Sequence, residues 1–354
     1  MCGILGICFD GRDRTDGEWM DIAWDFSNLW IHSMDRGTDA AGVYIVNRDS
    51  EIHYIKAPVT AEYLVGRDEA NDDMYGYWEF CRTHLGPDTV GIIGHTRAAT
   101  TGDPKDNDNN HPVVDAPIIG VHNGVITNHK ALDKKYPKVA EVDSAAIMSL
   151  LKSKSANRPI TKKIIAKSVH ELDGPFAIAV ADMRKPDGIY LARNRNPVHF
   201  HRNRTDGLLT FASTSDILRD AYGDDTKTFS MPKDTVCRLS SGTVKRSMDF
   251  TKLIFPKRST KSKPSANDLY PRESTTRHPW ADLDTRYAPN CPHKIKHRIC
   301  DHCTERWLPS NDAGLADVDA GERCPKCRQL YLVVYTGGIE SRCCSCNPYG
   351  GFPG

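Results

Sequence analysis

Apolar positions along the first 250 residues follow two periods. Segments 4–9, 43–46, 52–55, 90–95 and 117–121 are short apolar or alternating runs bounded by polar residues. They read as strands, with Asn47-Arg48-Asp49-Ser50 as the turn of a hairpin. Segments 176–181, 188–192, 208–212 and 235–239 repeat that pattern. Trp19, Ile22, Ala23, Phe26, Leu29 and Trp30 instead recur at helical spacing, which predicts an amphipathic helix over 18–34. Helices are also expected over 144–151 and 159–172. Strands dominate and the helices fall in blocks, so the pattern is not a regular β-α-β alternation.

The character of the chain changes at about residue 251. Lys257, Arg258, Lys261, Lys263, Arg272 and Arg277 stand among Ser, Thr and Pro with little to bury. The pattern therefore divides the chain into an α/β domain over 1–250, a basic linker over 251–288 and a Cys/His-rich module over 289–354. A basic arm can touch phosphates, but a solvated tether is the plainer reading. At 354 residues the chain is long enough for a large core. A net charge of +1 argues neither for nor against a nucleic-acid partner, which is not favoured. No apolar run is long enough to span a bilayer, and no basic segment leads into an apolar stretch at the N-terminus. A cytoplasmic protein without a membrane partner is the expectation.

Cysteine usage sharpens the picture of the tail. Eight of the twelve cysteines lie after residue 290. Cys300-x-x-Cys303, Cys324-x-x-Cys327 and Cys343-x-x-Cys346 are close pairs, each able to place two thiolates on one metal. The second and third pairs are fifteen residues apart, as in a zinc-ribbon hairpin, with a β-type run over 331–335 between them. Cys300 and Cys303 then share a second zinc with Cys291 and either His293 or His297. The rival pairing joins Cys300 and Cys303 with Cys324 and Cys327. One or two structural zinc ions are expected, with an iron–sulfur cluster as the minor alternative. Cys344 reads as a bystander, and such a tail can dock a protein, cap the fold or bind nucleic acid.

The chemistry-bearing residues lie in the first domain. Cys2 follows Met1 directly, in Met1-Cys2-Gly3-Ile4-Leu5-Gly6-Ile7. Removal of Met1 leaves a thiol and a free α-amine on one residue, a nucleophile with its own base. By position alone, a buried structural cysteine would be the plainer reading. Four further segments change that: Arg36-Gly37-Thr38-Asp39-Ala40-Ala41-Gly42, Gly94-His95-Thr96-Arg97-Ala98-Ala99-Thr100-Thr101-Gly102, Val121-His122-Asn123-Gly124-Val125-Ile126 and Glu141-Val142-Asp143-Ser144. Each is weak alone; their order and separations together are specific. Cys8, Cys81 and Cys237 have no such support and read as ordinary thiols.

On these residues, the first 240 positions resemble the class-II glutamine amidotransferase domain, an N-terminal-nucleophile hydrolase, and most of all the glutaminase half of glucosamine-fructose-6-phosphate aminotransferase. Gly174-Pro175-Phe176, Ala192-Arg193-Asn194 and Ala212-Ser213-Thr214-Ser215-Asp216 agree with it. The resemblance implies an α+β fold, a four-layer αββα sandwich, which local patterns do not reveal. It implies Cys2 as the nucleophile toward the glutamine carboxamide, and the Asn123 side chain and Gly124 backbone N–H as oxyanion donors. It matches Arg97 to a carboxylate clamp, Asp143 to the acid that holds the substrate ammonium, and Thr100 to a loop that closes on L-glutamine. Arg36 either braces the nucleophile or pairs with Asp39. The sequence departs from the resemblance at Ala98, where Trp is usual, at Thr101 (often His), and at Thr38 and Ala40 (commonly Tyr and Ser). These positions bear on pocket walls and loop packing.

The acceptor domains familiar in such enzymes have no counterpart after residue 250. A separate ammonia-accepting synthase subunit is therefore expected. The alternatives are a catalytically silent scaffold or glutamine sensor, and a nucleic-acid-associated factor, either acting through the zinc module.

Overall fold

The computed structural model describes residues 2–66, 75–137, 139–255, 318–319 and 333–334. Two antiparallel sheets carry the first unit, Met1–Lys257. The first sheet has β1 (Gly3–Phe9) at its centre. It is flanked on one side by β4 (Thr89–Arg97), β2 (Ala40–Asn47) and β3 (His53–Ala57), and on the other by β10 (Leu208–Ala212), β9 (His199–Asn203) and β11 (Thr228–Ser230). The second sheet runs in the order β13 (Thr251–Lys252), β12 (Thr235–Leu239), β8 (Ile189–Arg193), β7 (Phe176–Asp182), β6 (Ile118–Gly124) and β5 (Val113–Asp115).

The period-two alternation of the strands assigns their faces. In β1, Leu5, Ile7 and Phe9 pack into an outer core with α1 (Asp16–His32), α2 (Ala61–Val65), α3 (Tyr77–His84) and α7 (Ser215–Tyr222), whereas Ile4 and Cys8 face the second sheet. In β7, Phe176, Ile178 and Val180 pack against α4 (His129–Lys135), α5 (Asp143–Ser155) and α6 (Lys162–Ser168). Its alternate residues Ala177, Ala179 and Ala181 face inward. The layers are thus helix, sheet, sheet, helix. Tyr44 in β2 bridges the inner layers by donating its hydroxyl to the Ala179 carbonyl at 3.1 Å.

The predicted helix over 18–34 is α1, continued by a 3₁₀ turn over Ser33–Arg36. Thr15 caps it and Glu18 closes the capping box. The helix expected over 159–172 is shorter: Thr161 caps α6, and a 3₁₀ turn over Val169–Glu171 follows. The first unit also runs past residue 250, because β13 pairs with β12 and Leu253 is buried against the second helical layer. In the second unit, Arg258–Gly354, Val318–Asp319 pairs antiparallel with Val333–Val334. Val333–Val334 falls within the run expected to be β-type. Among the described residues no helix is long and apolar enough to cross a membrane.

Candidate active site

β1 places Cys2 at its N-terminal end, beside the C-terminal end of β4, where Gly3 pairs with Thr96. The Cys2 thiol is half-buried. It donates to the Ala98 carbonyl and accepts from the Ala98 N–H, both at 3.4 Å. Only main-chain atoms of residue 98 take part, so Ala in place of Trp there leaves the contact intact. Burial pushes the Cys2 thiol above its ordinary pKa, and Asp143 adds to this; the Ala98 N–H, the chain-terminal charge and Arg97 pull the other way. Arg36 donates Nε to the Cys2 carbonyl at 3.3 Å. Asp39 accepts the Ala99 N–H at 2.7 Å and gives its own N–H to the Arg97 carbonyl. Gly37 sits so close to this segment that a Cβ would lie 2.3 Å from the Arg97 carbonyl carbon. The Arg36–Asp39 turn therefore holds the backbone that holds the thiol.

Arg97 is 2% exposed. Its Nη1 donates to Asn110 Oδ1 at 2.7 Å, and Nη2 donates to the carbonyls of Thr101 and Gly102 at 2.7 and 2.9 Å. The guanidinium is thereby fixed at the base of the 98–102 segment. Asp143 opens α5 and accepts the Ile126 N–H at 2.6 Å. Asn123 and Gly124 end β6 in the other sheet. The Asn123 side chain is fully buried, and its amide N and O have no hydrogen-bond partner among the described residues. A buried amide left unpaired in this way costs free energy unless a ligand satisfies it. Gly124 has φ +153, and a Cβ there would meet the Pro175 carbonyl at 2.0 Å.

Cys2, Arg97, Thr100, Gly124 and Asp143 line one cavity, together with Ala98, Thr101, His111, His122, Val142 and Ser144. Asn123 and Arg36 are not among the lining residues, but each adjoins one: Arg36 bonds the Cys2 carbonyl, and Asn123 precedes Gly124. The cavity measures about 10 Å³, room for about one water; in the adjoining 98–102 segment only Thr100 is exposed, and the other four residues are half-buried. The expected metal ligands Cys291, His297, Cys300, Cys303, Cys324, Cys327, Cys343 and Cys346 lie outside the described residues.

Sequence reasoning missed a group of buried histidines, two of which, His111 and His122, line the cavity. His95 donates Nε2–H to the His122 carbonyl at 3.0 Å, and its ring stacks on His111 at 3.9 Å between centroids. His122 Nδ1 and Ser144 Oγ share a hydrogen bond of 2.8 Å. Three of these residues lie inside the motif segments but carry no spacing signature of their own, and His111 has no sequence signal at all. Burial pushes His95 down to about 3 and also lowers His111 and His122. The His95 ring therefore stays neutral in the folded protein down to about pH 3, whereas the unfolded chain takes up its proton below about pH 6.5. The unfolded state then binds more protons, so stability is full above that pH and falls as the pH drops toward 3. We expect His95 alone to contribute a slope of roughly 1.4 kcal/mol per pH unit within that window. Urea midpoints at pH 7, 6 and 5 check this; a flat series would refute it.

Residues 95–220 match the family model for a glutamine amidotransferase domain. The chain carries a class-II glutamine amidotransferase domain. Among curated relatives, it is 30% identical over 234 residues to 7-cyano-7-deazaguanine synthase 2 of Sulfurisphaera tokodaii, covering 64% of this chain and 46% of the relative. It is 29% identical over 210 residues to a glutamine–fructose-6-phosphate aminotransferase of Streptococcus mutans, covering 56% and 30%. The chain thus spans about half or less of the length of these relatives. The glutamine phosphoribosylpyrophosphate amidotransferase of B. subtilis shares the amidotransferase fold at 14% identity, with a TM-score of 0.50 over 72% of this chain and 50% of that one. The cavity, the two sheets and Cys2 all belong to the unit that holds the matched domain.

Proposed function

We propose that this protein hydrolyses L-glutamine to glutamate and ammonia through Cys2 and passes the ammonia to a separate acceptor enzyme. The observation that carries the reading is the convergence of Cys2, Arg97, Thr100, Gly124 and Asp143 on one cavity from distant parts of the chain. Arg97 takes the substrate α-carboxylate and Asp143 its α-ammonium. With Met1 removed, the Cys2 α-amine accepts the thiol proton through a water while the sulfur attacks the carboxamide carbon. The Asn123 side chain and Gly124 N–H hold the oxyanion that forms. Collapse of the tetrahedral intermediate returns the proton to the leaving nitrogen and releases ammonia, and water then cleaves the thioester.

Similarity to 7-cyano-7-deazaguanine synthases supports a synthase as the enzyme that takes the ammonia. Structural zinc in the tail rests on cysteine spacing alone, and the metal content of the purified protein tests it. The reading as a whole is tested by ammonia release from L-glutamine. Met1-free protein that leaves glutamine intact, with or without its co-purifying partners, would overturn it.

A further inference from the structure

Asn196 lies in the turn between β8 and β9 and donates Nδ2–H to the backbone carbonyl of Asn123 at 2.7 Å. We propose that Asn196 is a positioning residue that sets the Asn123–Gly124 peptide as an oxyanion donor, an inference that rests on the glutaminase reading above. The Asn123 carbonyl and the Gly124 N–H belong to one planar trans peptide and point in opposite directions. Fixing the oxygen fixes the direction of the N–H. A donor on the oxygen also polarises the amide and strengthens its N–H as a donor.

The turn is built to hold Asn196 still. Pro197 follows it and biases its backbone toward extended conformations. Arg193 donates to the carbonyls of Met231 and Arg195 at 2.9 and 3.2 Å. Asn194 accepts the Phe176 N–H at 2.7 Å and donates to the Gly174 carbonyl at 2.8 Å. Phe176 is the register partner of Gly124. The turn is thus anchored to the strand that pairs with the oxyanion peptide, and among the described residues Asn196 adds the one side-chain contact to that peptide's carbonyl.

The test compares Asn196→Ala and Asn196→Asp with the wild type in glutaminase kinetics and in alkylation of Cys2 by iodoacetamide. Loss of an oxyanion donor itself costs about 10²–10³ in kcat, so loss of its brace is expected to lower kcat by about 10- to 100-fold. KM should stay within about threefold, because the substrate's α-groups bind elsewhere. Asp, whose oxygen would face the carbonyl, should lose at least as much as Ala. Alkylation builds no oxyanion and should run at the wild-type rate. An active wild type whose variants keep kcat within about twofold refutes the proposal, as does a loss in which KM and alkylation change along with kcat. An inactive wild type refutes the glutaminase reading and takes this proposal with it.

Discussion

Cys2→Ala should abolish glutamine hydrolysis, lowering kcat by at least about 10⁴-fold, because no other described side chain in the cavity offers a thiol. Cys8, Cys81 and Cys237 are fully buried in the core and cannot take over. The thiol is half-buried and bonded only to main-chain atoms of Ala98, so its removal leaves those atoms close to solvent rather than opening a core cavity. The unfolding free energy from urea titration should therefore change by less than about 1 kcal/mol. The wild type should form one adduct with 6-diazo-5-oxo-norleucine at Cys2, and the variant none. A chain that retains Met1 lacks the Cys2 α-amine and should be as inactive as the variant. Measurable turnover in the Ala variant, checked by intact mass, would exclude Cys2 as the nucleophile.

Gly124→Ala should damage both stability and activity. The backbone there has φ +153, which disfavours a side chain, and the added methyl would lie 2.0 Å from the Pro175 carbonyl and 2.7 Å from His122 Nε2. Strain and overpacking together are expected to cost about 2–5 kcal/mol. Whatever shift relieves the clash also moves the Gly124 N–H, and a displacement near 1 Å at a catalytic group costs about 10²-fold in rate. Denaturation and steady-state kinetics on the same preparation test this. Wild-type stability with wild-type kcat would show that the 124–125 backbone is freer than its contacts imply.

Much of the sheet framework was legible because its strands are apolar runs with clear ends. β1 and the helix over 18–34 are examples, the latter marked by its Trp and Phe spacing. Neither α3 nor α7 was expected: each spans eight residues, and although Tyr77, Phe80 and Cys81 in the one and Ile217, Leu218, Ala221 and Tyr222 in the other fall at helical spacing, about two turns are too short for the period to stand out. Strand order was not legible either. β1 pairs with β4 and β10, partners that lie far apart along the chain, and no local pattern encodes that choice. The cavity residues were found through motif order, yet their supports were not. Asn110 beneath Arg97, Asn196 behind Asn123 and the stacked His95 and His111 act through three-dimensional neighbours that spacing cannot disclose.

Cys2 leads into a strand of one sheet, while Asn123 and Gly124 end a strand of the other. The reach between sulfur and amide is thus gauged by the interior that separates the layers, to which β7 contributes Ala177, Ala179 and Ala181 opposite larger side chains such as Ile4 and Tyr44. Bulk added at Ala177 or Ala179 would wedge the halves apart, so those plain methyl groups act as spacers that set the distance between Cys2 and the Asn123–Gly124 peptide.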